Sequence, residues 1–295
     1  MLRLLLTVFF LACLAHSGEY WHVEKGASAM KMLSLPTEPR QAALAGAGIA
    51  SPRNAGEAMR NPIATASANS PVLSFSRTEF SNTTGASRIS MLAGSSFGNW
   101  NLTAGMESLN YDEMQRYSED GLTVDGSVFT AGTIATQLGI ARNFNSMSAG
   151  ITARFANQNI DDSHMQGFLL DGGVKYNLLK HLEFGAVFNN LGWISYDAKE
   201  IAPLFVQAGI TANCALPLGF SGSLSADLYK RNDSAEELRT GLEVIYGEQF
   251  SLRLGYYEVL SAGFAVKFGS IAVEYAYQNK EALEANHVFG VNLHF

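Results

Sequence analysis

The chain closes on Val288-Phe289-Gly290-Val291-Asn292-Leu293-His294-Phe295. Phe289, Val291, Leu293 and Phe295 occupy alternate positions, and Gly290, Asn292 and His294 between them are smaller or more polar. Successive side chains of a strand point to opposite faces, so this stretch reads as a strand with one greasy face.

The same alternation recurs back along the chain to about residue 71. Leu182, Phe184, Ala186 and Phe188 alternate with Glu183 and Gly185; Phe250, Leu252, Leu254 and Tyr256 alternate with Ser251, Arg253 and Gly255; Ile271, Val273, Tyr275 and Tyr277 alternate with Ala272, Glu274 and Ala276. A final strand ending on an aromatic residue is a habit of bacterial outer-membrane β-barrels. On this reading Phe289, Val291, Leu293 and Phe295 form the signal that the barrel assembly machinery recognises.

Composition points the same way. Charged residues make up 16% of the 295 and hydrophobic ones 47%, with 28 Gly and 18 Phe. Soluble domains carry about 25% charged residues. Beyond the N-terminus no apolar run reaches the roughly 18 residues that a spanning helix needs. Few charges, many glycines and aromatics, and apolar residues only at every second position fit a membrane barrel. The formal net charge of −7 argues against a nucleic-acid partner.

Residues 1–17 read as a signal peptide: Arg3 is the positive start, Leu4 to Leu14 the short apolar core, and Ala15-His16-Ser17 the small-residue cleavage region. Its removal leaves Cys214 as the sole cysteine, without a disulfide partner, in an apolar series facing lipid. Five of the seven prolines lie between Pro36 and Pro71, and proline is excluded from interior strands. The expected organisation is therefore a signal peptide (1–17), an irregular N-terminal plug (18–70) and a transmembrane barrel (71–295).

About 14 strands fit the roughly 225 residues after Pro71. Connections alternate in length. Phe97–Trp100, Arg142–Ser146, Leu216–Gly219, Tyr246–Gln249 and Phe268–Ser270 are short; Asp112–Gly126, Asn157–Gln166, Ser195–Pro203, Lys230–Glu237 and Asn279–Asn286 are longer, polar and often acidic. That is the pattern of periplasmic turns and outer loops. Glu258–Gly263 breaks it, being short where a long connection is due. The fold class expected is all-β: a transmembrane antiparallel barrel, monomeric, in the bacterial outer membrane, with outer-membrane lipid around it.

Three stretches resemble the PorV/PorQ family of outer-membrane barrels, itself similar to the long-chain fatty acid transporter group. The first is Leu33-Ser-Leu-Pro-Thr-Glu-Pro-Arg40-Gln-Ala-Ala-Leu44-Ala-Gly46-Ala-Gly48; the second is Asn61-Pro62-Ile63-Ala64; the third runs from Leu252-Arg253-Leu254-Gly255-Tyr256 through Gly263 and Val273-Glu274-Tyr275-Ala276-Tyr277 to His287. Pro39 directly before Arg40, Ala45 in place of a glycine, Ile63 in place of an alanine and Glu274 in place of an aspartate depart from the family pattern. The resemblance, closest to PorQ, implies a 14-stranded barrel whose N-terminal segment tucks into the lumen. It also implies an accessory role in type IX secretion, with surface sortase or secretion components as partners. Arg40, Gly46, Asn61 and Pro62 are the motif residues of the plug.

No catalytic set emerges, and no cofactor or metal site. Gly94-Ser95-Ser96-Phe97-Gly98 matches the hydrolase elbow pattern, but Trp100 starts another strand where a helix would be needed. His164 beside Asp161 and Asp162 reads as a solvated outer loop with at most a weak divalent-ion contact. More informative are Arg239, Glu243, Arg253, Lys267 and Glu274, which fall on the non-lipid faces of four consecutive strands. Inside a barrel such groups pair and cross-link the wall. Arg40 or Asn61 docking against them would close the pore. The alternative to the secretion role is a transport channel for hydrophobic small molecules. It needs an apolar pocket near the plug and a lateral opening, for which Gly172-Gly173 is the sequence candidate.

Overall fold

The computed structural model describes residues 23–80, 85–117, 124–195, 201–247, 249–279 and 285–295. The segment expected to be a signal peptide lies outside them, as do parts of the connections at Ser81–Ala86, Asp112–Gly126, Ser195–Pro203 and Asn279–Asn286. The strands are β1 (Val72–Phe80), β2 (Ser87–Phe97), β3 (Trp100–Asn110), β4 (Met114–Tyr117), β5 (Val124–Phe129), β6 (Ala131–Phe144), β7 (Met147–Ile160), β8 (Ser163–Leu179), β9 (Leu182–Ser195), β10 (Phe205–Ala215), β11 (Phe220–Arg231), β12 (Glu236–Tyr246), β13 (Phe250–Tyr257), β14 (Val259–Phe268), β15 (Ile271–Gln278) and β16 (Asn286–His294).

Fourteen of them form one closed antiparallel barrel in which chain neighbours are sheet neighbours, and β1 pairs with β16 to complete the ring. Closure satisfies every edge, which a strand surrounded by lipid requires. The expected barrel and its strand number are therefore present. β4 and β5 stand apart as a two-stranded hairpin between β3 and β6.

The wall is inverted relative to a soluble protein. Leu138, Leu228 and Leu252 are 69%, 65% and 68% exposed on its outer face, while Glu107, Arg154 and Glu243 are each 1% exposed on its inner face. Apolar outside and charged inside is stable only where the outside solvent is hydrocarbon.

The turns at the end holding Pro71 and Phe295 are short, as expected. At the opposite, outer end two connections expected to be long are tight. β7 and β8 continue to Ile160 and Ser163, joined through Asp161-Asp162, with Asp161 in the left-handed region (φ 54°). His164 is thus on a strand, with Nδ1 2.8 Å from Asn159 Oδ1 rather than on an aspartate. Continued pairing satisfies polar backbone that a loop would leave to water. Lys230–Glu237 is likewise shortened, with Lys230 and Arg231 in β11, Glu236 and Glu237 in β12, and four residues between them. Glu258 alone (φ 57°) joins β13 to β14. Ser96 is paired within β2, one residue before its end, and its Oγ donates to the Asn69 carbonyl at 2.9 Å, so no elbow exists.

Candidate functional site

Residues 23–70 run through the barrel interior and fill it. The described chain begins at the outer end, where the Gly26 amide donates to the Asp233 carbonyl, the Ala29 amide donates to the Ile201 carbonyl, and Ser28 Oγ donates to the Asp233 carboxylate at 2.6 Å. Met30, Met32 and Leu33 then pack with Leu109, Leu169 and Ile194 in an apolar cluster within the outer mouth. Small residues around them, Ala135 and Ala156 on the wall and Ala86 and Ala202 in the connections, make room for them.

Further down, the short helix α1 (Pro39–Ala43) starts on a proline, which suits a first helical turn because its missing N–H is not needed there. α1 lies against β13 to β16 on wall positions that carry no side chain. A Cβ at Gly263 would stand 2.6 Å from Ala43 Cβ, and one at Gly290 2.7 Å from Pro39 Cγ. After α1 the chain reverses through Ala45, Gly46 and Gly48, all at positive φ (53°, 82° and 90°). This is why the sequence is rich in glycine here. Gln207 Nε2 donates to the Gly46 carbonyl at 2.7 Å, and the Ile49 amide donates to Asp227 at 2.9 Å. Two 3₁₀ segments follow. Ala55–Met59 is capped by a reciprocal Asn54–Glu57 box, and Pro62–Ser67 by Asn61.

Two buried ion clusters fasten this plug. In the first, Arg40 Nη1 is 3.1 Å from Glu57 and Arg40 Nη2 is 2.9 Å from Glu243, with all three side chains about 1–2% exposed. Glu243 also receives Arg253 Nε at 2.7 Å, and Arg253 continues to Glu274, which accepts from Asn292 at 2.9 Å. In the second, Arg60 donates to Glu107 at 2.7 Å and to the Met32 and Leu35 carbonyls. Arg154 pairs with Asp171 at 2.8 Å and donates to Asn190 Oδ1 and to the Met59 carbonyl. Burial works against the charged form of Arg40, but the carboxylates of Glu243 and Glu57 outweigh it and hold the guanidinium protonated. Glu38, at the start of α1, is the opposite case. Burial, then the charges of Glu274 and Glu57, push its carboxyl up to about 8.

Arg40, Glu243, Arg253 and Glu274 therefore meet in one network. Arg239 does not join it: it pairs with Glu237 and lies 3.6 Å over the Tyr229 ring. Lys267 is exposed at the end near the termini, on the inward face but below the plug. Asn61 does not reach the wall charges either. Its Oδ1 accepts from the Ile63 amide and its Nδ2 donates to the Ile49 carbonyl, because an asparagine directly before Pro62 is best used as a cap. Pro62 opens the 3₁₀ segment, and its carbonyl faces Gly150 on β7. Phe289, Val291, Leu293 and Phe295 all point outward from β16 or its end.

Sequence reasoning missed Glu57, Arg60, Glu107, Arg154 and Asp171. The Asn54…Glu57 spacing is the available signal for a cap, and inward parity is the signal for the others. Neither says which acid meets which base.

Two register shifts interrupt the β8–β9 ladder, one near the turn at Asn177–Leu179 and one in mid-wall. At the latter, Leu170 pairs with Leu191, but Gly172 pairs with Phe188. The extra residue on β9 makes a bulge at Asn189-Asn190, with Asn190 at φ 63°. Asn190 Nδ2 donates to the plug's Leu33 carbonyl at 3.3 Å. A further cavity of about 30 Å³, room for a water, lies between the plug loop and β10 to β12, lined by Gly46, Ile49, Asn61, Gln207, Tyr229 and Arg239.

No family model matches this chain, and no curated protein matches it. Solved structures do. The Ralstonia pickettii toluene transporter TbuX superposes with a TM-score of 0.62 at 12% identity, over 88% of this chain and 98% of that one. The CymD monoaromatic hydrocarbon channel gives 0.61 at 12% identity over the same shares. A Pseudomonas aeruginosa FadL homologue gives 0.53 at 10%, over 88% and 98%. The likeness is to the fatty acid transporter type of barrel, and at these identities it is a likeness of fold. The PorV/PorQ resemblance has no counterpart among these matches.

Proposed function

We propose that this protein is an outer-membrane channel for hydrophobic small molecules. The observation that carries the reading is the apolar cluster at the outer mouth, where Met30, Met32 and Leu33 occupy a greasy recess. A ligand of similar chemistry competes with these side chains for the same walls. Methionine suits such a place, being flexible and polarisable. The fold likeness to hydrocarbon channels supports the reading.

Below the recess the lumen is crossed by buried ion pairs, which an apolar solute does not enter. The β9 bulge offers a sideways route. It adjoins Leu169 and Ile194 above and the small Ile49–Ile63–Val187 cluster below. Displacing Leu33 breaks its bond to Asn190, so occupancy of the recess is coupled to the wall at the bulge. Gly172 faces Phe188 across this point, the position singled out by the sequence.

Uptake of radiolabelled toluene and of a labelled fatty acid by wild-type and deletion strains tests the proposal. Faster uptake of either by the wild type is expected, and Met30→Asn with Met32→Asn should lower it. Equal uptake by both strains overturns it.

The second reading, an accessory of type IX secretion and surface attachment, rests on the motif residues Arg40, Gly46, Asn61 and Pro62 and on the C-terminal motif. In that case the outer loops are the partner surface. Loss of cargo display in the deletion strain, with hydrocarbon uptake unchanged, would favour it.

A further inference from the structure

On β13 and β14 the lipid-facing positions stay apolar from rim to rim: Phe250, Leu252, Leu254 and Tyr256 on the first, Leu260, Ala262, Phe264, Val266 and Phe268 on the second. On β1 the series ends early: Leu73 and Phe75 are followed by Arg77 and Glu79, 50% and 42% exposed and ion-paired to each other. Their neighbours Ser76 and Thr78 are buried, so the pair faces outward. Arg77 is in register with Phe289 on β16 and Ile89 on β2, both on the outer, apolar face. Glu79 is in register with His287. Tyr275 Oη lies 2.8 Å from His287 Nδ1, and the Tyr277 ring meets the same imidazole edge-on. Five strand-borne polar groups thus gather on the outside of the barrel, near its outer end. An arginine on the lipid face costs stability according to its depth, and an ionisable group there marks a function.

Directly below, toward the termini, the outer wall is concave. Leu73, Phe75, Met91, Met106, Val291 and Leu293 line an apolar groove of about 540 Å³ over the small residues Ala93, Ala104 and Gly105. We propose that this face holds one glycolipid of the outer leaflet, its phosphate on Arg77 beside His287 and its acyl chains in the groove. Glu79 engages the Nε edge of Arg77, and a guanidinium has five N–H donors, which suit a phosphate bidentately. The order of the two parts fixes the leaflet. With its head toward the outer rim and its chains toward the termini, the occupant has the orientation of an outer-leaflet lipid; a phospholipid of the other leaflet would lie upside down.

The test is native mass spectrometry of the full-length protein, purified in detergent and mixed with diphosphoryl lipid A, dephosphorylated lipid A or phosphatidylglycerol. Heat-modifiable gel migration reports folding. Wild type should retain diphosphoryl lipid A about tenfold better than the other two probes, and Arg77→Gln should lose that preference. Glu79→Gln, which removes only the acid, should keep it. Arg116→Gln, at an ion pair with Asp161 on the separate hairpin, is the surface control. If Arg77→Gln fails to fold, Arg77→Leu with Glu79→Leu restores an apolar face and reads out the same loss. Equal retention of phosphorylated and dephosphorylated lipid A, phosphatidylglycerol held as tightly, or retention unchanged in the arginine variants overturns the proposal. A protein co-purifying on this face in place of lipid overturns it as well.

Discussion

Arg40 of the plug and Glu243 of β12 are 203 residues apart in sequence and 2.9 Å apart in space, with both side chains about 1% exposed. The charge that holds the plug is thus supplied half by the plug and half by the wall. Neither partner has water to fall back on.

Arg40→Met should destabilise the protein by about 3–5 kcal/mol, because Glu57 is left buried without a cation and Glu243 keeps only its pairs to the wall's Arg253 and to Arg53. Arg40→Met with Glu57→Gln should recover part of that loss, since no carboxylate is then left buried without a cation, Glu243 keeping Arg253. Urea denaturation in detergent micelles measures both. In planar bilayers the single variant should conduct ions more than wild type, the plug having lost its main tie.

Gly290→Val places a branched side chain where Pro39 of α1 now sits, with a Cβ 2.7 Å from the proline Cγ and the nearest wall atom, the Phe75 carbonyl, at 3.6 Å. The barrel should still form, as valine suits strands, while α1 is pushed off the wall. Unchanged heat-modifiable migration together with raised single-channel conductance is the expected pair of results. Gly98→Ala at the turn between β2 and β3, where the added Cβ meets nothing, is the control for a glycine of positive φ (60°).

Glu38 sets a pH dependence. Its carboxyl is held up to about 8 in the folded protein, against an ordinary value of 4.5. Between those values the folded state binds the proton and the unfolded state does not. Stability from this group is therefore full below about 4.5 and is lost as pH rises through about 8. Melting temperature should fall across that range in wild type. In Glu38→Gln the slope should flatten, because an amide does not titrate.

Leu224 is 60% exposed on the lipid face of β11, and the adjacent Ser225 is 2% exposed in the lumen, 2.9 Å from Thr211. Leu224→Arg should cost about 2–4 kcal/mol if it lies near the bilayer midplane. Ser225→Ala should cost on the order of 1 kcal/mol, the net worth of a hydroxyl hydrogen bond. Refolding titrations into lipid vesicles compare the two. A smaller cost for the arginine than for the alanine would mean that the outer face is not in hydrocarbon.

The barrel was legible because it is written locally. Period-two alternation at Phe250–Tyr256 or Ile271–Tyr277 places one face outward whatever the partner strand is, and lipid rewards the same choice on every strand. The Pro36–Pro71 cluster marked the plug by the same local logic. The tight turns at Asp161-Asp162 and Glu258 were less readable, since polar residues in a strand that rises above the membrane look like a loop.

Which charges meet inside was not written locally. Arg40, Glu57, Glu243 and Arg253 come from three remote segments, and closing the ring is what brings β12 and β13 around the plug. Parity alone put Arg239 and Lys267 in the same set. Their height along the strand, set by register and by where the plug ends, separated them: Arg239 turned to Glu237 and Tyr229, and Lys267 stayed in water. The sequence by itself determined a cylinder with an apolar outside. Only the tertiary structure decided its contents, because burying a charge demands a partner at about 3 Å, and distance is a property of the folded chain.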